Sequence, residues 1–143
     1  LADDYGILAN VWSVPSFTEL AREARDCARW NHLHPEAKPR TSYLEQILQG
    51  QSGPFLAATD YVQAYADQIR EFIPGTYRVL GTDGFGRSDT RRALRQFFEV
   101  DKNHIAVAAL KLLADAERFA PADVVAAMQR YGVDPEKPNP AKH

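Results

Sequence analysis

Apolar and polar positions along the chain follow two periods. From 17 to 30, FTELAREARDCARW sets Phe17, Leu20, Ala21, Ala24, Cys27 and Ala28 at helical spacing, with Glu19, Arg22, Glu23, Arg25, Asp26 and Arg29 opposite them. One apolar stripe and one solvated face predict an amphipathic helix, with Ser16 as its cap after Pro15. YVQAYADQIREFI, 61–73, predicts a second, with Tyr61, Val62, Tyr65, Ala66, Ile69, Phe72 and Ile73 inward, Asp60 as cap and Pro74-Gly75 as stop. Shorter helices are expected in SYLEQILQG, closed by Gly50, and after Ser88 or Asp89, where Ala93-Leu94 and Phe97-Phe98 face one way. NHIAVAALKLLADAERF and the Pro121-led PADVVAAMQRYG supply two more.

Between the helices lie short apolar runs that read as strands: LANVWSV at 8–14, PFLAATD at 54–60 and YRVLG at 77–81. Strand and helix alternating three times predict an α/β domain with a mainly parallel sheet and crossover helices. The strand-to-helix turns of such a sheet gather at its carboxyl edge, so 13–16, 59–61 and 82–89 are expected to converge there. NHLHPEAKPRT, 31–41, is expected to be an irregular connection, and the proline-rich polar stretch 132–143 an extended or frayed tail.

Composition narrows this picture. At 143 residues and 45% hydrophobic, the chain suits one domain with a core. A formal net charge of −2, from 17 basic and 19 acidic residues, gives no reason to expect nucleic acid or an anionic membrane as partner. No run reaches membrane-span length, so no membrane role is expected. Cys27 has no second cysteine to pair with, which suits a reducing cytoplasm.

The chemistry-bearing candidates concentrate in GTDGFGRSDTRR, 81–92. A dinucleotide fingerprint needs a third glycine where this chain has Asp89, and no GK[ST] follows for a phosphate loop. Asp83 and Asp89 also place negative charge where a phosphate needs positive potential. The segment therefore reads as a corner that uses Gly84 and Gly86 for backbone freedom. Arg87, Arg91 and Arg95 are spaced by four, and such a stripe can grip a carboxylate or phosphate, or pair with acids on a neighbouring domain or subunit. With no aromatic partner near them in sequence, the second role is the expectation. Candidate interface or loop contacts are thus Asp83, Gly84, Phe85, Gly86, Arg87, Ser88, Asp89, Arg91 and Arg95. His32 and His34, near Cys27 and Glu36, match no familiar zinc spacing, and Cys27 reads as a core residue. His104 has no evident carboxylate or nucleophile partner in the sequence. No catalytic, cofactor-binding or metal residue is assigned.

ANVWSVPSFTELAREARDCARWNHLHP, ATDYVQAYADQIREFIP and, most specifically, YRVLGTDGFGRSDTRRALRQFFEVD resemble the C-terminal domain of the homodimeric bacterial pyruvate dehydrogenases, within the transketolase superfamily. The resemblance runs over essentially the whole chain. It implies a three-layer transketolase C-terminal-like domain across 1–143, with its first strand and helix lying before Leu1 and LADDYG ending that helix. That would place Leu1 inside the first crossover, so a piece of a longer chain is expected.

The resemblance further implies a cytoplasmic oxidoreductase that uses thiamine diphosphate and magnesium to decarboxylate pyruvate and then reductively acetylates the lipoyl group of dihydrolipoyl acetyltransferase. The GDG and NN motif that holds the cofactor in that family is absent from this sequence. The implied role of this domain is therefore non-catalytic, in assembly with other domains of its chain, a second subunit and the acetyltransferase core. A free-standing interaction or regulatory module, binding a protein or an anionic effector through Arg87, Arg91 and Arg95, is the alternative.

Overall fold

The computed structural model describes residues 1–142. Helix α1, Ala2–Tyr5, ends at Gly6 in the left-handed region. Helix α2, Phe17–Leu33, starts where Ser16 accepts the Glu19 N–H and runs three residues past its apolar stripe. Pro35 disfavours helical geometry at His34, and the helix stops there. Helix α3, Tyr43–Leu48, carries a full capping box: the fully buried Ser42 accepts the Glu45 N–H, and the Glu45 carboxylate accepts from Ser42 N–H and hydroxyl at 2.8 and 2.6 Å.

Strands β1, Phe55–Ala58, and β2, Tyr77–Leu80, pair in parallel with Phe55 opposite Tyr77 and Ala58 opposite Leu80. Tyr77 and Val79 alternate inward and pack with Ala21 of α2, Leu44 and Leu48 of α3, and Ala66 and Ile69 of the crossover. Helices α5, Arg91–Phe97, α6, Lys102–Asp115, and α7, Pro121–Tyr131, follow the sheet. The α6–α7 pair forms a second cluster around the fully buried Leu110 with Val124 and Ala127, and Leu1, Tyr5 and Ile7 close it. Tyr5 meets Phe119 and Tyr131 edge-on, and Asp4 bonds Arg130 and the Tyr131 hydroxyl. The architecture is α/β, helices around a small open parallel sheet.

Two expectations need correction. The run 8–14 forms no strand: Leu8 and Val11 stand in solvent, and Asn10 reaches Gln51 through a side-chain bond at 2.8 Å. A strand needs a partner ladder, and among the described residues β1 and β2 pair only with each other. The helix expected over 61–73 is broken into α4, Gln63–Asp67, and a 3₁₀ turn, Arg70–Phe72, leaving Tyr61, Val62 and Tyr65 exposed. Its break has a visible cause. The Tyr77 hydroxyl donates at 2.8 Å to Ala66 O, the carbonyl that a continuing helix would offer to the Arg70 N–H. Burial raises the Tyr77 hydroxyl first, and the Asp67 charge next, to a pKa of about 12, although Arg70 works against them.

Residues 133–142 are held by polar contacts and end in a 3₁₀ turn, Pro140–Lys142, rather than fraying; His143 lies outside the described residues.

Candidate functional site

The carboxyl ends of β1 and β2 stand side by side, which brings 59–63 against 81–83. Thr82 N–H donates to Tyr61 O at 2.9 Å and its hydroxyl to Asp60 O at 2.8 Å. Val62 occupies the cap position of α4 without a side-chain acceptor, and Asp83 supplies one from the neighbouring loop, taking the Gln63 N–H at 3.2 Å. Asp60, expected as that cap, instead pairs with Arg95 at 3.0 Å. The Asp60 hydrogen bond raises the Arg95 pKa, and the Asp60 charge adds to it. Two of the three expected turns thus converge; 13–16 belongs to the segment without a strand partner.

Gly81 is the point of closest approach, since a Cβ there would lie 2.7 Å from Tyr61 O and 2.9 Å from Gln63 N. Gly84 has φ +108, and a Cβ on it would meet Pro140 O at 2.8 Å and Ala141 Cα at 3.0 Å. Gly86 needs neither freedom, having open space and no positive φ.

The helix cap after the corner is Thr90, which accepts the Ala93 N–H; Asp89 accepts the Thr90 N–H instead. Arg87 precedes the helix and lies 4.0 Å over the Phe97 ring, an aromatic partner ten residues away that the sequence reading missed. Arg91 and Arg95 sit one turn apart on α5, Arg91 exposed and Arg95 on Asp60. A shallow hollow of about 240 Å³ lies among Arg87, Ser88, Asp89 and Phe97. Phe85, 76% exposed, stands at the tip.

Lys137 is the contact that no local signal announces. Its ammonium donates to Gln96 O at 3.0 Å and Phe97 O at 2.6 Å and pairs with Glu99 at 3.3 Å, capping the end of α5 from forty residues away.

The remaining candidates are engaged locally. His34 stacks on Trp30 at 4.3 Å and its Nδ1 lies 2.8 Å from Trp30 O, while Arg40 covers the Trp30 ring at 4.1 Å. His32 falls inside α2 rather than on a loop. Cys27 is half-buried rather than a core residue, and its thiol points to Glu23 Oε1 at 3.4 Å; burial first, then that bond, pushes its pKa up. His104 does have a carboxylate partner: Asp101, the cap of α6, takes the His104 and Asn103 N–H groups and lies 3.0 Å from His104 Nδ1. Burial works against ionisation of Asp101, but these bonds outweigh it and hold its carboxyl below the ordinary range. Among the described residues no three His, Cys, Asp or Glu side chains gather as a metal site, and no helix is long and apolar enough to cross a membrane.

Residues 1–101 match the transketolase-like TK C-terminal domain. The chain belongs to that family. Its relatives include pyruvate dehydrogenase E1 components from Pseudomonas aeruginosa, 55% identical over 141 residues, Cupriavidus necator, 53% over 140, and Escherichia coli, 48% over 141. Each alignment covers 98% of this chain and 16% of the relative. The homology is to the C-terminal region of those E1 components. The α6–α7 pair and the tail lie beyond the family match but within the alignments to the relatives.

Proposed function

We propose that this chain is the C-terminal, non-catalytic domain of a cytoplasmic pyruvate dehydrogenase (acetyl-transferring), and that it serves subunit assembly and packing. The observation that carries the reading is identity of 48–55% to pyruvate dehydrogenase E1 components over nearly all of the chain. In the whole enzyme, thiamine diphosphate with magnesium supplies the decarboxylation of pyruvate, and the acetyl unit passes reductively to the lipoyl group of dihydrolipoyl acetyltransferase.

The residues of this chain do not fit that cofactor. At the carboxyl edge, Asp60 is paired with Arg95 and Asp83 holds the Gln63 N–H, so neither is offered to a metal. A diphosphate would find Asp83 and Asp89 in the corner itself and the tail backbone against Gly84. No step of the reaction runs through these side chains. What the corner offers instead is an exposed aromatic, Phe85, with the exposed Arg91 and Arg92 behind it. That combination, an aromatic anchor beside cations, suits packing against another domain or a second subunit in a homodimer.

Two measurements test the reading. The isolated chain, supplied with pyruvate, thiamine diphosphate and magnesium, is expected to show no turnover while the full-length enzyme does; turnover by the chain alone removes the non-catalytic role. Phe85→Ala combined with Arg91→Ala in the full-length protein is expected to weaken the dimer at least ten-fold in sedimentation equilibrium. An unchanged dimer removes the assembly role for this surface.

A further inference from the structure

The stretch 133–142 lies beyond the part of the chain that matches the family domain, yet it returns across the family's glycine corner. Its own shape is braced: Asp134 accepts the Glu136 N–H and Asn139 accepts the Ala141 N–H, each at 2.9 Å, and Lys142 N–H donates to Asn139 O at 3.0 Å. From this frame Lys137 reaches the last carbonyls of α5 and Glu99, where the negative end of the helix favours a cation. Two cations approach the Phe97 ring, Arg87 at 4.0 Å and Lys137 Nζ at 5.5 Å from its centre. Farther along, the Pro140 and Ala141 backbone closes over Gly84 so tightly that no Cβ fits.

The corner needs such support. Residues 84–90 are all exposed and include two glycines, so an untethered corner would sample many backbone states. We propose that residues 133–142 are a strap that fixes the 83–90 corner, with Lys137 as its positioning residue. Lys137 anchors the strap to α5 and Phe97, and Pro140–Ala141 then covers Gly84. The strap concerns the conformation of the corner and not what the corner meets, and cutting is compared with and without the Phe85→Ala/Arg91→Ala pair so that cover by a neighbouring domain or subunit is told apart from the strap.

Trypsin cutting after Arg87 reports that conformation directly, with cutting after Arg22 in α2 as the internal reference, both followed by mass spectrometry in the full-length protein well below its unfolding temperature. Lys137→Met, and a stop after Asp134, are each expected to speed the Arg87 cut about ten-fold or more and leave the Arg22 cut unchanged. Lys137→Arg keeps charge and donors and is expected to retain slow cutting. Gly84→Ala is expected to speed the Arg87 cut in the whole chain, and to add much less once the strap is removed, because part of its effect is the collision with Pro140. An unchanged Arg87 cut in both strap variants overturns the proposal, as does equal acceleration at Arg22 or failure of Lys137→Arg to protect. If the truncated chain does not fold, the Lys137 pair decides alone.

Discussion

Replacing Gly81 by alanine would set a methyl group 2.7 Å from Tyr61 O, 2.8 Å from Gln63 Cγ and 2.9 Å from Gln63 N. Two of those three atoms are backbone, so no side-chain rotation relieves the overlap. The 59–63 loop must retreat, and it is tied to 82–83 by three hydrogen bonds, Thr82 N–H to Tyr61 O, Thr82 hydroxyl to Asp60 O, and Gln63 N–H to Asp83. Overpacking of this kind costs about 1–3 kcal/mol, and lengthening those bonds adds part of the ~1 kcal/mol that each contributes. The sum is about 2–3 kcal/mol, which for a chain of this size lowers the thermal midpoint by roughly 7–10 °C.

Gly86→Ala in the same motif is the control: with no atom within 4 Å and no positive φ, it should change stability by less than ~0.5 kcal/mol. Thermal and urea unfolding of the two variants side by side make the measurement. If Gly81→Ala matches the parent chain, or if Gly86→Ala is as damaging, the corner is not held by the close approach of the two strand ends.

Ser42→Ala removes both the acceptor for the Glu45 N–H and the donor to the Glu45 carboxylate at a fully buried position, so a loss of about 1–2 kcal/mol in urea unfolding is expected. Asp101→Ala tests the cap of α6 through its pH dependence. Because the folded carboxyl is held below its ordinary value, its contribution is complete above the unfolded value of about 4 and fades as pH falls through the folded one. The stability gap between parent and Asp101→Ala is therefore expected to narrow below about pH 4. A gap that stays the same down to pH 2 would show that the charge contributes nothing.

How legible this was depends on how local each cause is. Ser16 and Pro121 announce helix starts by rules that act over three or four residues, and the structure follows them. The break in 61–73 comes from Tyr77, eleven residues past the carbonyl it takes, and an apolar period cannot register that. Asp60 looked like a cap because it precedes the helix, but Arg95 engages it and Asp83 takes over the capping from a separate loop. The run 8–14 has strand composition, and composition carries no information about whether a partner edge is present. Lys137 was read as one polar residue of a tail, because its partners, Gln96, Phe97 and Glu99, lie about forty residues back.

The division of the interior into two clusters has a kinetic side. The sheet and α2–α4 share one core, and α1, α6 and α7 share another. Although α6 also packs on β1, regions with largely distinct apolar clusters can open one at a time, each with its own free energy. Hydrogen exchange should then sort the amides of α6 and α7 from those of β1 and β2 into two populations that respond differently to denaturant. Asp4 with Arg130 and Tyr131, bridging 126 and 127 residues of sequence, ties α1 to the second cluster through the most distant contacts described, so docking of α1 should follow formation of the sequence-local α6–α7 pair on refolding.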